Sequence, residues 1–129
     1  MTQENVEIVR RVFEIGDVQA ASAWWQPEIE WVVAEEHPEA RTLRGFQAVM
    51  EYFGEWEATL DDARLEMSSF VDAGGSVVAF GAMRGTGTGS GADVQVPIAF
   101  VCTLADGKIA RVEEYLDPPK ALEAAGLAQ

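Results

Sequence analysis

At 129 residues the chain has the length of one domain, 1–129, which buries roughly two-thirds of the surface its unfolded form exposes and needs no covalent staple. Nine Lys/Arg against twenty-two Asp/Glu give a formal charge of −13, which repels phosphate backbones and anionic bilayers, so neither nucleic acid nor membrane is expected as a partner. The one cysteine, Cys102, lies in an apolar run; this excludes an intramolecular disulfide and a thiolate metal cluster and, with no signal-like or ~20-residue apolar stretch, leads to the expectation of a cytoplasmic protein.

From Asn5 to Ile15 the residues Val6, Val9, Val12, Phe13 and Ile15 keep helical spacing, with Glu7, Arg10, Arg11 and Glu14 on the other side, and Gly16 ends the run. Asp17 is a good N-cap for a second helix, "VQAASAWWQ", stopping before Pro27. "EIEWVV" alternates as a strand does, with Ile29, Trp31 and Val33 on one face, and the same parity carries Glu35. After the loop "EEHPEARTLRG", a third helix aligns Phe46, Val49, Met50, Phe53 and Trp56 in one broad stripe.

The second half reads as an antiparallel meander: "ARLEMSSFV", "SVVAFGAMR", "VQVPIAFVCTL" and "KIARVEEYL", separated by the turn signals "DAGG", "TGTGSG" and "ADG". The glycines around Ser90 lack the Gly-Lys-Ser/Thr ending of a phosphate loop and precede a strand, so they read as a hairpin tip. "PPKALEAAGL" closes the chain with a helical turn or two.

Adjacent glutamates in the last strand pose a question of facing, since successive side chains point to opposite sides. In "VQVPIAFVCTL" the even positions, including Ile98, Phe100 and Cys102, form the inner face. With a two-residue Asp106-Gly107 turn, Leu104 pairs with Ile109 and Arg111, Glu113 and Tyr115 point inward; with a three-residue turn, Leu104 pairs with Lys108 and Ala110, Val112, Glu114 and Leu116 do. The second set is far more apolar. The expectation is therefore a three-residue turn, Gly107 at positive φ, and Glu114 inside opposite Ile98.

Two N-terminal helices, a short strand, "LRGFQAVMEYF", and a four-strand meander ending in "TLADGKIARVEEYLDPPKALEAAGL" resemble the SnoaL-like branch of the nuclear transport factor 2-like superfamily over nearly the whole chain. The resemblance implies an α+β cone, a curved antiparallel sheet wrapped around N-terminal helices, with an apolar pocket at its wide end and pairing into homodimers through the outer sheet face. It also implies a place for a general base about ten residues before the glycine that opens the third helix, which is Glu35 in this chain. The oxyanion donors of the ketosteroid isomerase pattern have no counterpart: Val9 stands near the tyrosine position and Ile98 or Ala99 near the acid position. Steroid isomerisation is therefore not expected. The Arg and Asp pair of the epoxide hydrolases has only a loose analogue in Arg84 with Glu114.

Two functions follow. In the first, the protein is an enzyme acting on a small hydrophobic molecule without a cofactor, with Glu35 as base and Glu114, Arg84 or Tyr52 orienting a substrate held by Trp31, Tyr52, Phe53, Trp56, Ile98, Phe100 and Val112. In the second, it is a binding or dimerisation module of the same fold. No metal is expected, because the sole histidine, His37, has no second ligand at a suitable spacing. The homodimer is expected to form through Ala99, Val101, Ile109 and Tyr115 on the outer face, with Arg111 and Glu113 pairing across it.

Overall fold

The computed structural model describes residues 2–37 and 40–127; Pro38 and Glu39 of the predicted loop lie outside them. Helix α1 (Thr2–Ile15) is followed by a short α2 (Val18–Ala21), a 3-10 turn (Ser22–Trp24), strands β1 (Trp25–Val32) and β2 (Thr42–Arg44), and helix α3 (Gly45–Thr59). Strands β3 (Leu60–Asp72), β4 (Ser76–Gly87), β5 (Asp93–Ala105) and β6 (Lys108–Tyr115) and helix α4 (Pro118–Ala124) complete the chain. The six strands form one curved, unclosed sheet in the order β2-β1-β6-β5-β4-β3. β3 to β6 are the expected antiparallel meander, while β1 lies parallel to β6, with Trp31 beside Val112.

The second helix is shorter than the sequence suggests. Pro27 disfavours helical backbone at the residue before it, and Trp25, on the parity of Ile29 and Trp31, is buried as the first residue of β1. Turning the Trp25 ring into the core outweighs another helical turn, since burying a large aromatic or aliphatic side chain is worth roughly 1.5–3 kcal/mol.

Helices α1 and α3 fill the concave face of the sheet. Val9 and Val49 are fully buried against Ile29, Val77, Phe100 and Cys102. Phe13 of α1 stacks at 5.1 Å from Phe100 and 6.2 Å from Phe70, tying that helix to β5 and β3. The sheet bends where β3 carries irregularities, between Asp61 and Arg64 and between Met67 and Ser69. At the second of these, Gly81 on β4 comes so close to β3 that a Cβ would stand 2.6 Å from Met67 Cα, so only glycine admits the bend.

The β5–β6 connection corrects the expected turn. Asp106 and Gly107, at φ 53° and 77°, form a two-residue turn in which Ala105 faces Lys108 and Leu104 faces Ile109. The register then slips, Thr103 facing Arg111, so Ala110 has no residue opposite and forms a bulge. That extra residue restores the inward facing of Val112 and Glu114, and Glu114 sits opposite Phe100 rather than Ile98.

The outer face differs from expectation as well. Ile109 points into the cone, where it is 1 % exposed. Ala99 and Val101 do point outward but are covered by α4: with Val78 and Ala121 they form a second small core, flanked by Phe80, Tyr115, Ala125 and Leu127. Arg111 and Glu113 are engaged within the chain, in a row running from Arg44 through Glu30 (2.7 Å) to Arg111 and on to Glu113 (3.7 Å).

Candidate functional site: an aromatic cavity and a buried carboxylate

The inner face of the cone leaves a cavity of about 460 Å³, within the roughly 300–1,000 Å³ typical of small-molecule sites. Its walls come from four places. Phe13 of α1 and Ala21 of α2 form one side, Trp25 and Trp31 of β1 another, Met50, Phe53 and Trp56 of α3 a third, and Cys102, Ile109 and Val112 the sheet floor. Asp17, Gln19, Glu57 and Arg64 supply its polar lining. The rings are mutually braced: Trp31 meets Phe53 edge-on at 5.2 Å, Phe53 meets Trp56 at 5.2 Å, and Trp25 lies 6.0 Å from Trp31. The Arg64 guanidinium is held by Asp62 at 2.9 Å and Glu66 at 3.0 Å.

Next to this cavity, behind the Trp31 ring, lies Glu114, 4 % exposed and the only buried charged side chain among the described residues. The Trp31 indole Nε1–H donates to Glu114 Oε2 at 2.6 Å, and the Tyr52 hydroxyl donates to Oε1 at 2.8 Å. The Ala34 backbone N–H adds a longer bond to Oε1 at 3.4 Å. Burial pushes the Glu114 carboxyl above the ordinary carboxylate range, while these donors and the Arg41 charge pull part of that rise back. The Tyr52 phenol is likewise raised above its usual value, first by burial and then by the neighbouring Glu114 charge. The Tyr52 ring is enclosed by Trp56 at 5.6 Å, His37 at 6.2 Å and the Arg41 guanidinium at 5.6 Å.

Of the residues the sequence singles out, Trp31, Phe53, Trp56 and Val112 line the cavity. Ile98, Phe100 and Tyr52 are 2 % exposed or less and belong to the surrounding core. Glu35, Glu114 and Arg84 are not brought together. β1 ends at Val32, and Val33 and Ala34 are buried in succession; the two-residue alternation is lost there, and Glu35 emerges on a turn with its side chain 81 % exposed, 3.4 Å from Lys120 Nζ. Arg84 shares the outward parity of Val78 and Phe80 on β4 and pairs with Glu66 on β3 at 3.1 Å. The lining residues not singled out as site candidates include Phe13, Trp25 and Met50 among the apolar ones and Asp17, Gln19, Glu57 and Arg64 among the polar ones. Met50 shows in the aromatic stripe of α3, but nothing in the sequence pattern marks the four polar ones, because exposed polar positions look alike until α2 and β3 are packed around the same opening.

A curved, open sheet wrapped over two helices, with an aromatic cavity inside, defines a nuclear transport factor 2-like cone. The SnoaL-like domain model matches residues 6–112, and the chain belongs to that family. Among solved structures, an NTF2-like protein from Burkholderia thailandensis is 26 % identical with a TM-score of 0.78, covering 97 % of both chains. A putative SnoaL-like polyketide cyclase from Jannaschia sp. is 20 % identical with a TM-score of 0.77, covering 99 % of this chain and 94 % of its own. TerC, crystallised with polyporic acid, is 22 % identical with a TM-score of 0.75, covering 95 % and 98 %. No curated protein matches the chain. Among the described residues no helix is long and apolar enough to cross a membrane, and no cluster of three metal-ligating side chains occurs.

Proposed function

We propose that this protein binds a small, largely apolar, ring-bearing molecule inside the cone. The observation that carries the reading is the 460 Å³ cavity walled by Phe13, Trp25, Trp31, Phe53 and Trp56, whose faces and edges suit a flat ligand. The cyclase-like neighbour and the polyporic acid complex of TerC support the same class of ligand.

Binding is put ahead of turnover. Glu35 stands outside the cavity and Glu114 behind Trp31, so a general base acting on a ligand in the cavity falls to Asp17 or Glu57, the carboxylates on its lining. Pairing with a second copy through the outer sheet surface beside α4, where Phe80 and Tyr115 are half-buried, accompanies this reading; light scattering at the monomer mass would remove it.

The test of binding uses N-phenyl-1-naphthylamine, a neutral three-ring fluorophore that brightens in apolar surroundings. The wild-type protein is expected to bind it at micromolar concentration, and Ala63→Trp, which places an indole at the cavity lining, to weaken it at least tenfold. Equal binding by the two proteins would overturn the reading.

A further inference from the structure

A carboxylate taken out of water costs several kcal/mol unless its oxygens are satisfied, so a buried glutamate calls for an account of what it holds. Glu114 has no ion-pair partner within 4 Å among the described residues. Its two oxygens take instead the polar atoms of two aromatic residues on different elements, Trp31 of β1 and Tyr52 of α3. Both donors matter for the cavity. Trp31 is itself a wall, and Tyr52 immediately precedes Phe53 and stands one helical turn before Trp56, two more walls.

We propose that Glu114 is a positioning residue of the cavity: it joins the Trp31 indole to the Tyr52 hydroxyl and so fixes the distance between the β1 wall and the α3 wall that a ligand fits between. The role rests on the binding function proposed above and deepens it, since it names the group that sets the width of the site without touching the ligand. The chemistry favours a carboxylate. Each oxygen of the anion accepts a charge-assisted hydrogen bond, and those bonds are short and directional. A glutamine keeps the length but offers one oxygen, so it holds one donor firmly and leaves the other without an anionic acceptor. The Trp31 ring then loses its polar anchor and is held by apolar packing, including its contacts with Phe53, Phe100 and Trp25, which tolerate tilting.

The test combines a spectroscopic signature with a double-mutant cycle. In wild-type protein the Trp31 indole proton, bonded to an anion at 2.6 Å, is expected to resonate well downfield of the other three indole protons, with assignment from loss of the peak in Trp31→Phe. Glu114→Gln is expected to move that peak upfield and to weaken N-phenyl-1-naphthylamine binding three- to tenfold at a temperature where circular dichroism shows the variant folded. Trp31→Phe is expected to weaken binding as well, and the double variant to bind no worse than the weaker single, because residues acting through one contact are not additive. If Glu114→Gln does not fold, Glu114→Asp, which keeps the charge and shortens the reach by one methylene, takes its place with the same expectations.

Unchanged affinity in the Glu114 variant, or losses that simply multiply in the double variant, would overturn the positioning role while leaving the cavity as a binding site. A wild-type protein that fails to bind the probe would overturn the cavity reading, and this role with it.

Discussion

The hydroxyl of Tyr52 donates to Glu114 Oε1 at 2.8 Å, joining the middle of α3 to the end of β6 where neither side chain meets water. Tyr52→Phe removes this donor and leaves a buried carboxylate oxygen with only the 3.4 Å bond from Ala34. Leaving a buried acceptor under-satisfied costs roughly 1–3 kcal/mol. Urea denaturation should show a loss of that size with an unchanged dependence on urea concentration; a loss under about 0.3 kcal/mol would mean the hydroxyl contributes nothing net.

The same carboxyl makes stability depend on pH with a defined sign. Its folded pKa is raised above that of an ordinary glutamate, so the folded state holds the proton more tightly than the unfolded chain does. The favourable contribution is present in full below the unfolded value and is lost as pH rises through the folded one. Subtracting the Glu114→Gln unfolding free energy from that of wild type cancels the other titrating groups. The difference should fall with rising pH from the ordinary carboxylate range upward and level off above the folded pKa. A difference that rises over that window would reverse the assignment.

Gly81 gives a packing prediction. A methyl group there meets Met67 Cα at 2.6 Å and Met67 Sδ at 2.8 Å; the sulfur can swing aside but the backbone carbon cannot. Gly81→Ala should destabilise the protein by about 1–3 kcal/mol, the usual penalty for overpacking, as measured by thermal or urea unfolding. Gly54, where an added Cβ meets nothing within 4 Å, serves as the control position: Gly54→Ala lies inside α3 and should be neutral or stabilising.

Cys102 is fully buried, and burial pushes its thiol up to about 12. Since the thiolate is the reacting species, the native protein should resist a disulfide reagent at pH 8 and react with one thiol per chain in denaturant. Rapid native labelling would indicate that the cavity floor opens to solvent.

The layout of the cone was legible in the sequence because it rests on periodicities. The stripe of Val49, Phe53 and Trp56 and the alternation of Ile98, Phe100 and Cys102 survive folding unchanged, since each depends on neighbours along the chain. The inward facing of Glu114 was also legible, although through a turn that the structure does not contain: the apolar preference of Val112 favoured the right face, and the bulge at Ala110 rather than a third turn residue delivers it. Glu35 and Arg84 were not legible in the same way. Parity carried past the end of β1 has no physical basis once the backbone turns, and Arg84 follows the parity of its own strand to the outside. The donors to Glu114 come from residues 83 and 62 positions away, and no local pattern encodes such pairings.

The bulge at Ala110 has one further implication. On its N-terminal side β6 turns one set of side chains to the cone, and on its C-terminal side the opposite set, so the strand is out of phase with itself across a single residue. A ladder that paired Ala110 regularly, with no side chain exchanged, would set Arg111 opposite Cys102, bringing Arg111 and Glu113 to the interior and sending Val112 and Glu114 outside, whereas removing Ala110 would leave every later pairing as it is. The chemical character of the cone is thus written partly as a length: one unpaired residue decides whether its interior holds a single carboxyl among aromatic rings or an arginine and a different glutamate.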